Sequence, residues 1–157
     1  MNNSLDVLSE SLDQKIEVLH EIERYNEAQK NAFENDNLDM DSFDEAIEKK
    51  DELIERLLKL DEGFQALYDR ISEELSNNKE KYADKIRMLQ EKITVITELS
   101  VAVQTSEARN KKLIEQYFSR ERQGIKKGRV GSKAAYDYYK NMSGSAMTES
   151  QFMDSKK

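Results

Sequence analysis

Residues 82–118 read YADKIRMLQEKITVITELSVAVQTSEARNKKLIEQYF, and the apolar side chains of this segment recur at intervals of three or four residues. At about 100° per residue, this spacing gathers them along one face of a helix. The face is formed by Tyr82, Ile86, Leu89, Ile93, Ile96, Val103, Leu113, Ile114, Tyr117 and Phe118. Val95, Leu99 and Ala102 widen it in the middle. Because a helix with a wide apolar face can contact two neighbours, the segment predicts a central helix that the rest of the chain covers.

Two runs of turn-forming residues separate this segment from two other helical patterns. Residues 35–41 read NDNLDMD, and residues 77–78 are two asparagines. Asn and Asp favour turns because their short side chains form hydrogen bonds with the local backbone. An apolar stripe with helical spacing precedes each turn, so the sequence predicts three helices. Their predicted bounds are about residues 4–34, 42–76 and 79–123.

Short turns between long helices determine the predicted fold class, which is all-α. They predict an elongated antiparallel three-helix bundle in up-down-up order, with a long third helix. Ser4 is the predicted N-cap of the first helix, and Ser42 with Glu45 forms the predicted capping box of the second. Gly63 lies inside the second helix, at a cost of roughly 1 kcal/mol relative to Ala. A close helix contact, a slight bend and simple tolerance are all open explanations for it.

The last part of the sequence predicts a different organisation. Three glycines punctuate residues 124–131, and the region after them is largely polar. Glycine and a low apolar content favour the end of a helix and a mobile segment after it. We therefore predict a helical bundle over residues 1–127 and a flexible tail over residues 128–157, with a short amphipathic helix at residues 133–142.

The composition limits the classes of protein to which the chain can belong. It has 157 residues, of which 36% are charged and 37% hydrophobic, with no proline, cysteine or tryptophan. The absence of cysteine excludes disulfides, thiolate zinc sites and thiol catalysis. No segment approaches the roughly 20 consecutive apolar residues that span a membrane, and the N-terminus lacks the features of a signal peptide. The sequence therefore predicts no membrane insertion.

The charges are distributed unevenly along the chain. Residues 1–78 carry 22 acidic and 8 basic side chains, a net charge of −14. Residues 79–157 carry 10 acidic and 17 basic side chains, a net charge of +7. We interpret this asymmetry as attraction between antiparallel helices of one bundle. A basic surface for nucleic acid is the alternative, and we disfavour it because Tyr117 and Phe118 of the basic segment lie on the apolar stripe.

Residues that support catalysis or metal binding are scarce. His20 is the only histidine, and the sequence has no glycine-rich phosphate loop and no nucleophile elbow. The acidic residues at 35–41 match a calcium loop in composition only, since the loop glycine is missing and Phe43 occupies a position that needs an oxygen ligand. The sequence therefore predicts neither an enzyme nor a bound metal or cofactor.

The relative lengths of the predicted helices indicate a binding surface. At about 1.5 Å per residue, the second helix spans about 50 Å and the third about 65–70 Å. The third helix therefore draws level with the start of the second near Leu113 and extends beyond it. This extension should leave its last apolar residues accessible in the free protein, unless the tail covers them. Exposed apolar groups of this kind usually have a partner. The predicted binding residues are Leu99, Val103, Leu113, Ile114, Tyr117 and Phe118.

Four segments of the chain resemble a known family. Residues 48–64 begin with EKKDELI and end with LDEGF, and residues 106–114 read SEARNKKLI. Within the tail, residues 135–142 read AYDYYKNM and residues 151–154 read QFMD. In these segments the chain resembles the small helical export chaperones of the bacterial flagellum, of the FlgN/FliT type, and its tail is similar to the tails of clostridial members.

The resemblance implies a function and a set of partners. It implies a cytoplasmic chaperone that binds a flagellar axial subunit, either a hook-filament junction or a filament-cap protein, and delivers it to the type III export apparatus. In such families the C-terminal helical region engages the cargo, which points to the same end of the third helix. The cargo helices of the family are amphipathic, and such helices bind in apolar grooves.

Two further expectations concern the tail and the oligomeric state. We expect the turns around Tyr136, Tyr139 and Met142 to dock on the end of the third helix and to compete with cargo. The alternative to a chaperone is a structural coiled-coil or adaptor protein that homodimerises through the third helix. A one-to-one complex with a flagellar subunit favours the chaperone, and a stable dimer that ignores such subunits favours the alternative.

Overall fold

The computed structural model describes residues 2–35 and 38–120, which form three α-helices. The helices are α1 (Asn2–Glu34), α2 (Met40–Asn77) and α3 (Ala83–Arg120). No strand occurs within the two described ranges. The prediction of an all-helical chain with three helices is therefore confirmed.

The N-cap of α2 is Asp39. This residue is extended, with φ −107° and ψ 119°, and its carboxylate accepts hydrogen bonds from the Asp41 N–H at 3.2 Å and from the Ser42 hydroxyl at 2.9 Å. The predicted N-cap at Ser42 is therefore wrong, because the aspartate three residues earlier supplies the capping oxygen and Ser42 donates to it. Ser4 was predicted to cap the first helix but lies inside α1, which begins at Asn2.

Asn78 ends α2 and opens the connection to α3. Its backbone N–H donates to the Leu75 carbonyl at 3.2 Å, and its side-chain amide donates to the Glu74 carbonyl at 2.7 Å. These bonds satisfy carbonyl groups that the end of a helix leaves without partners. The predicted break at the two asparagines agrees with this geometry. The start of α3 differs from the prediction, because the chain forms turns after Asn78 and the helix begins at Ala83 instead of Lys79.

The central helix of the structure is α1. Its backbone lies close to both other helices, whereas no Cα atom of α2 comes within 8 Å of a Cα atom of α3. Ser9 and Val18 lie on opposite sides of α1, since nine residues turn a helix by about 180°, and both are buried. The prediction that the third helix is central is wrong, because its second apolar flank is exposed at Val95 and Ala102.

The contacts of α1 follow a regular order along its two neighbours. From the start of α1 to its end, the residue numbers of its partners on α2 decrease, in the pairs Lys15–Asp61, Asn26–Lys50 and Phe33–Phe43. The residue numbers of its ion-pair partners on α3 increase, in the pairs Asp6–Lys85 at 3.0 Å, Asp13–Lys92 at 2.9 Å and Glu27–Arg109 at 3.4 Å. In each of these ion pairs the acid is on α1 and the base on α3, which agrees with the uneven charge of the chain.

The buried apolar side chains form two separate clusters. The larger cluster is the main core, which consists of Leu5, Leu8, Leu12, Val18, Leu19, Ile22, Ile54, Leu57, Phe64, Ile71, Leu75, Tyr82, Leu89, Ile93, Ile96 and Val103. The smaller is the end cluster, which consists of buried Phe43, Ile47 and Ile114 and of partly buried Phe33, Leu38, Met40, Tyr117 and Phe118. Polar residues separate the two clusters on all three helices.

Candidate functional site

The end cluster joins the last turn of α1, the start of α2 and the last turns of α3. The rings of Phe33 and Phe43 meet edge to face, with centroids 6.0 Å apart and planes at 65°. The rings of Tyr117 and Phe118 meet in a similar way, at 5.9 Å and 61°. Such pairs are favourable because the positive edge of one ring faces the negative face of the other. The aromatic residues therefore give this end of the bundle a packed apolar surface.

The structure divides the predicted binding residues between the two clusters. Val103 is buried in the main core, and Leu99 packs against it. Leu113 is half-buried. The members that lie in the end cluster are Ile114, Tyr117 and Phe118. The predicted residues therefore do not form one continuous surface.

The expectation that Ile114 stays accessible is wrong. This side chain is only 3% exposed. Phe33 at the end of α1 and Leu38 and Met40 at the start of α2 also pack in this cluster, so the relative lengths of α2 and α3 alone do not determine how much of α3 is covered. The two aromatic residues of α3 keep part of their surface exposed. The end of α3 is therefore partly covered instead of overhanging.

A set of buried polar side chains lies between the main core and the end cluster. This polar layer consists of Asn26, Gln29, Lys50, Glu107 and Asn110. On α2, Lys50 lies between Ile47 of the end cluster and Ile54 of the main core. The same order holds on α1 and α3, so the layer crosses the whole bundle.

Lys50 is the centre of the polar layer and is 0% exposed. Its ammonium group donates to Asn26 Oδ1 at 2.9 Å and to Gln29 Oε1 at 2.8 Å, both on α1. It also donates to Glu107 Oε1 at 3.0 Å on α3. A lysine has three N–H donors, and three acceptor side chains surround this one. One residue of α2 thus forms hydrogen bonds with both other helices.

Asn110 links α3 directly to α1 within the same layer. Its side-chain amide donates to the Asn26 backbone carbonyl at 3.0 Å and to Gln29 Oε1 at 3.3 Å. At the margin, Arg109 donates to the same carbonyl at 3.4 Å and pairs with Glu27 at 3.4 Å. Buried polar networks of this kind fix the positions of their members, because a misplaced group loses hydrogen bonds that water cannot replace.

Burial determines the electrostatics of the polar layer. It lowers the pKa of Lys50 below its ordinary value of 10.5, and the neighbouring Glu107 carboxylate partly opposes this shift. A second buried pair, Lys15 with Asp61 at 2.6 Å, lies at the level of the main core, and burial lowers the pKa of that lysine also. Buried charges need partners at hydrogen-bond distance, because their removal from water is costly. Both lysines have such partners.

The polar layer was not predicted from the sequence, although the residue spacing carries a signal for it. Lys50 follows Ile47 by three residues and precedes Ile54 by four, which places it on the apolar stripe of α2. Glu107 follows Val103 by four residues, on the stripe of α3. Charged residues are rarely buried without partners, so the charges of Lys50 and Glu107 suggested that these side chains are exposed to solvent. Their positions on the apolar stripes indicated burial instead.

Comparison with protein families identifies the group to which the protein belongs. Residues 1–144 match the model of the FlgN protein family, which covers most of the chain. The chain belongs to the FlgN family. FlgN proteins are flagellar export chaperones, so the protein belongs to a family that functions in flagellum biogenesis. No curated protein and no solved structure matches the chain.

Membership of the FlgN family bears on several of the predictions. FlgN is a family of chaperones, which supports the prediction that the chain is not an enzyme. Two of the segments that carry the resemblance, residues 48–64 and 106–114, contribute Lys50, Glu107 and Asn110 to the polar layer. The similarity of the tail to clostridial members stays a prediction.

The remaining observations concern membranes, metals and the tail. None of the helices within residues 2–35 and 38–120 contains an apolar stretch of the length that a membrane crossing requires. The same part of this FlgN-family chain contains no group of three acidic or histidine side chains placed to hold a metal ion. The predicted tail contacts lie outside the described residues: Tyr136, Tyr139 and Met142.

Proposed function

We propose that this FlgN-family protein is a cytoplasmic chaperone that binds an amphipathic helix of a flagellar axial subunit and delivers that subunit to the type III export apparatus. The subunit is a hook-filament junction or filament-cap protein. Beside the family match, one observation supports the proposal. The apolar face of α3 continues past the polar layer and ends in side chains that are only partly covered, Leu113, Tyr117 and Phe118.

The partly exposed residues of α3 are the ones that we propose to contact the partner helix. They are Leu99, Leu113, Tyr117 and Phe118. Val103 and Ile114 are buried, so in the closed bundle they support this surface from behind. Aromatic residues dominate the binding energy of many interfaces, because they bury a large area with few rotatable bonds. The two aromatic residues are therefore the proposed anchors of a helix-in-groove contact.

The bundle and the tail have separate roles in this proposal. The order of the contacts along α1 supports an elongated up-down-up bundle within residues 1–127. The predicted flexible tail, residues 128–157 with a short helix at 133–142, lies outside the described residues. We propose that its residues Tyr136, Tyr139 and Met142 compete with the partner for the end of α3.

The double variant Tyr117→Ala, Phe118→Ala tests the proposed surface. Loss of an aromatic anchor costs about 2 kcal/mol or more, which is roughly 30-fold in affinity. Isothermal titration calorimetry with a purified junction or cap subunit should show at least this loss. Unchanged affinity for both subunits would reject the surface.

Phe43→Ala is the matched control for this experiment. Phe43 is a buried aromatic residue of the same end cluster, but it lies on α2. Its replacement weakens the cluster without removing a proposed contact, so the melting temperature should fall while the affinity is not reduced. Equal losses of affinity in the control and in the double variant would show that cluster packing, and not contact with the partner, controls binding.

A homodimer through α3 is the second candidate function. Among residues 2–35 and 38–120, the exposed large hydrophobic side chains include Met88, Val95 and Val101 of α3. Met88 and Val95 are seven residues apart and share one side of the helix. Sedimentation equilibrium of the unaltered protein and of Val95→Glu separates the two candidates. A monomer in both supports the chaperone, and a dimer that the substitution dissociates supports the alternative.

A further inference from the structure

The end cluster and the main core differ in the number of residues that stabilise them. Among the described residues, three apolar side chains are buried in the end cluster and sixteen in the main core. Local openings of a folded protein require the least free energy where the fewest buried apolar contacts are lost. The end cluster is therefore the part of the bundle that opens most readily.

The polar layer makes a favourable boundary for such an opening. If the helices separated within the main core, carbon surface would be exposed to water on both sides of the break. If they separate at the polar layer, much of the new surface consists of amide and charged groups. Water forms hydrogen bonds with these groups and offsets part of the free energy of exposure.

The same layer holds the three helices together when the end cluster opens. Lys50 joins α2 to Asn26 and Gln29 of α1 and to Glu107 of α3. These bonds lie on the main-core side of Ile47 and Ile114. Separation of the helix ends beyond the layer therefore breaks none of them, and the main core keeps its cover.

We propose that the end cluster opens as one cooperative unit while the main core stays folded, with the polar layer as the boundary between them. We further propose that this opening presents the buried face of α3 around Ile114 to the amphipathic partner helix. The use of the opening for binding rests on the proposed chaperone function, whereas the opening itself does not.

Hydrogen exchange of the full-length protein in low concentrations of urea tests the opening. The amides of the end cluster should share one opening free energy and one dependence on urea, and should exchange roughly tenfold or more faster than amides of the main core. The segments to compare are residues 30–34, 43–47 and 111–118. The opposite end of the bundle, around Leu8 and Leu89, is the control for ordinary fraying, because its helix ends belong to the main core.

Two identical substitutions on either side of Lys50 make the test specific. Ile47 of the end cluster and Ile54 of the main core lie on the same helix and are 1% and 0% exposed. Ile54→Val should accelerate exchange in the main core by about two- to tenfold and leave the end-cluster amides unchanged, because Ile54 stays packed when the end opens. Ile47→Val should accelerate exchange in both regions. Acceleration of the end-cluster amides by Ile54→Val would show a single cooperative unit and overturn the proposal.

The binding step has its own measurement. If the partner selects the open form, the apparent affinity rises with the open fraction. Ile47→Val should then raise the affinity for the purified junction or cap subunit by the factor by which it accelerates end-cluster exchange, and Ile54→Val should not change the affinity. Equal affinities for all three proteins would overturn the binding step. Binding of neither subunit would overturn it together with the proposed function, and the exchange result would still decide whether the end cluster opens.

Discussion

Lys50 shows how much one buried charge depends on its neighbours. Its ammonium group is fully buried, and its hydrogen bonds reach both other helices. Lys49, the preceding residue, is exposed. Two lysines that are adjacent in sequence therefore have opposite environments, because successive residues of a helix are turned by about 100°.

Replacement of the two lysines should have very different effects on stability. Lys50→Ala removes the cation from a buried pair, which typically costs about 3–5 kcal/mol. Lys49→Ala changes a solvated side chain and should alter the free energy of unfolding by less than about 0.5 kcal/mol. Urea unfolding followed by circular dichroism measures both values. Similar values for the two variants would mean that the polar layer contributes little to the stability of the fold.

Asp44 is a carboxylate whose ionised form the fold disfavours. Partial burial raises its pKa above the ordinary 3.8, and the negative charges of Asp41 and Glu48 raise it further. The folded protein therefore binds a proton at Asp44 more tightly than the unfolded chain does. As a result, ionised Asp44 lowers the free energy of unfolding at pH values above the pKa of Asp44 in the folded state. This loss disappears as the pH falls below 3.8.

Asp44→Asn should therefore stabilise the protein in a pH-dependent way. Because Asp44 is only partly buried, the gain at pH 7 should be only a few tenths of a kcal/mol. It should vanish at about pH 3, where the aspartate is protonated in both states. Glu55→Gln, which makes the same change in net charge on the exposed side of α2, is the control. Urea titrations at both pH values decide the matter, and a gain that persists at low pH would contradict this electrostatic explanation.

At the level of helices, two substitutions can separate the contributions of Asp39 and Ser42 to the cap at the start of α2. Asp39→Ala removes the acceptor at the start of α2 and should lower the free energy of unfolding by about 1 kcal/mol. Ser42→Ala removes only an exposed donor to Asp39 and should cost a few tenths of a kcal/mol. Thermal unfolding of the two variants tests the assignment. A larger effect of the serine substitution would restore Ser42 as the dominant cap.

The helices were predictable from the sequence because periodicity and turn residues are local signals. The apolar stripes and the two asparagines identified all three helices. The sequence left three explanations for Gly63, and the structure excludes one of them. No atom lies within 4 Å of the position that its Cβ would occupy, so it does not mark a close helix contact.

The arrangement of the helices was less predictable, because it depends on how surfaces meet across the bundle. The width of the apolar face of α3 suggested a central helix, yet α1 takes that place. Likewise, the burial of Ile114 depends on a cluster that includes Phe33 and Met40, which are distant in sequence. Pairing partners such as Lys50 and Glu107 are 57 residues apart, and one sequence contains no direct signal for such pairs.

At the scale of the whole molecule, the sequence separates the bundle from the tail, because three glycines punctuate residues 124–131 and the region after them is largely polar. We therefore expect a chain that ends after Lys127 to melt within about 2 °C of the full-length protein. A chain that ends after Lys112 loses Ile114 and both aromatic residues of α3, and should melt at a distinctly lower temperature. A large drop for the first truncation, seen by differential scanning calorimetry, would place part of the tail in the core.

The central position of α1 has a consequence for the synthesis of the protein. Its partners on α3 follow 79 to 84 residues later in the chain. At translation rates of roughly 5–20 residues per second, the ribosome needs about 4–17 s to produce them. During that interval only α2 can pack against α1, and the side of α1 that later contacts α3 is exposed to water. A translational pause between the last two helices would lengthen the period in which the nascent chain is most prone to aggregate.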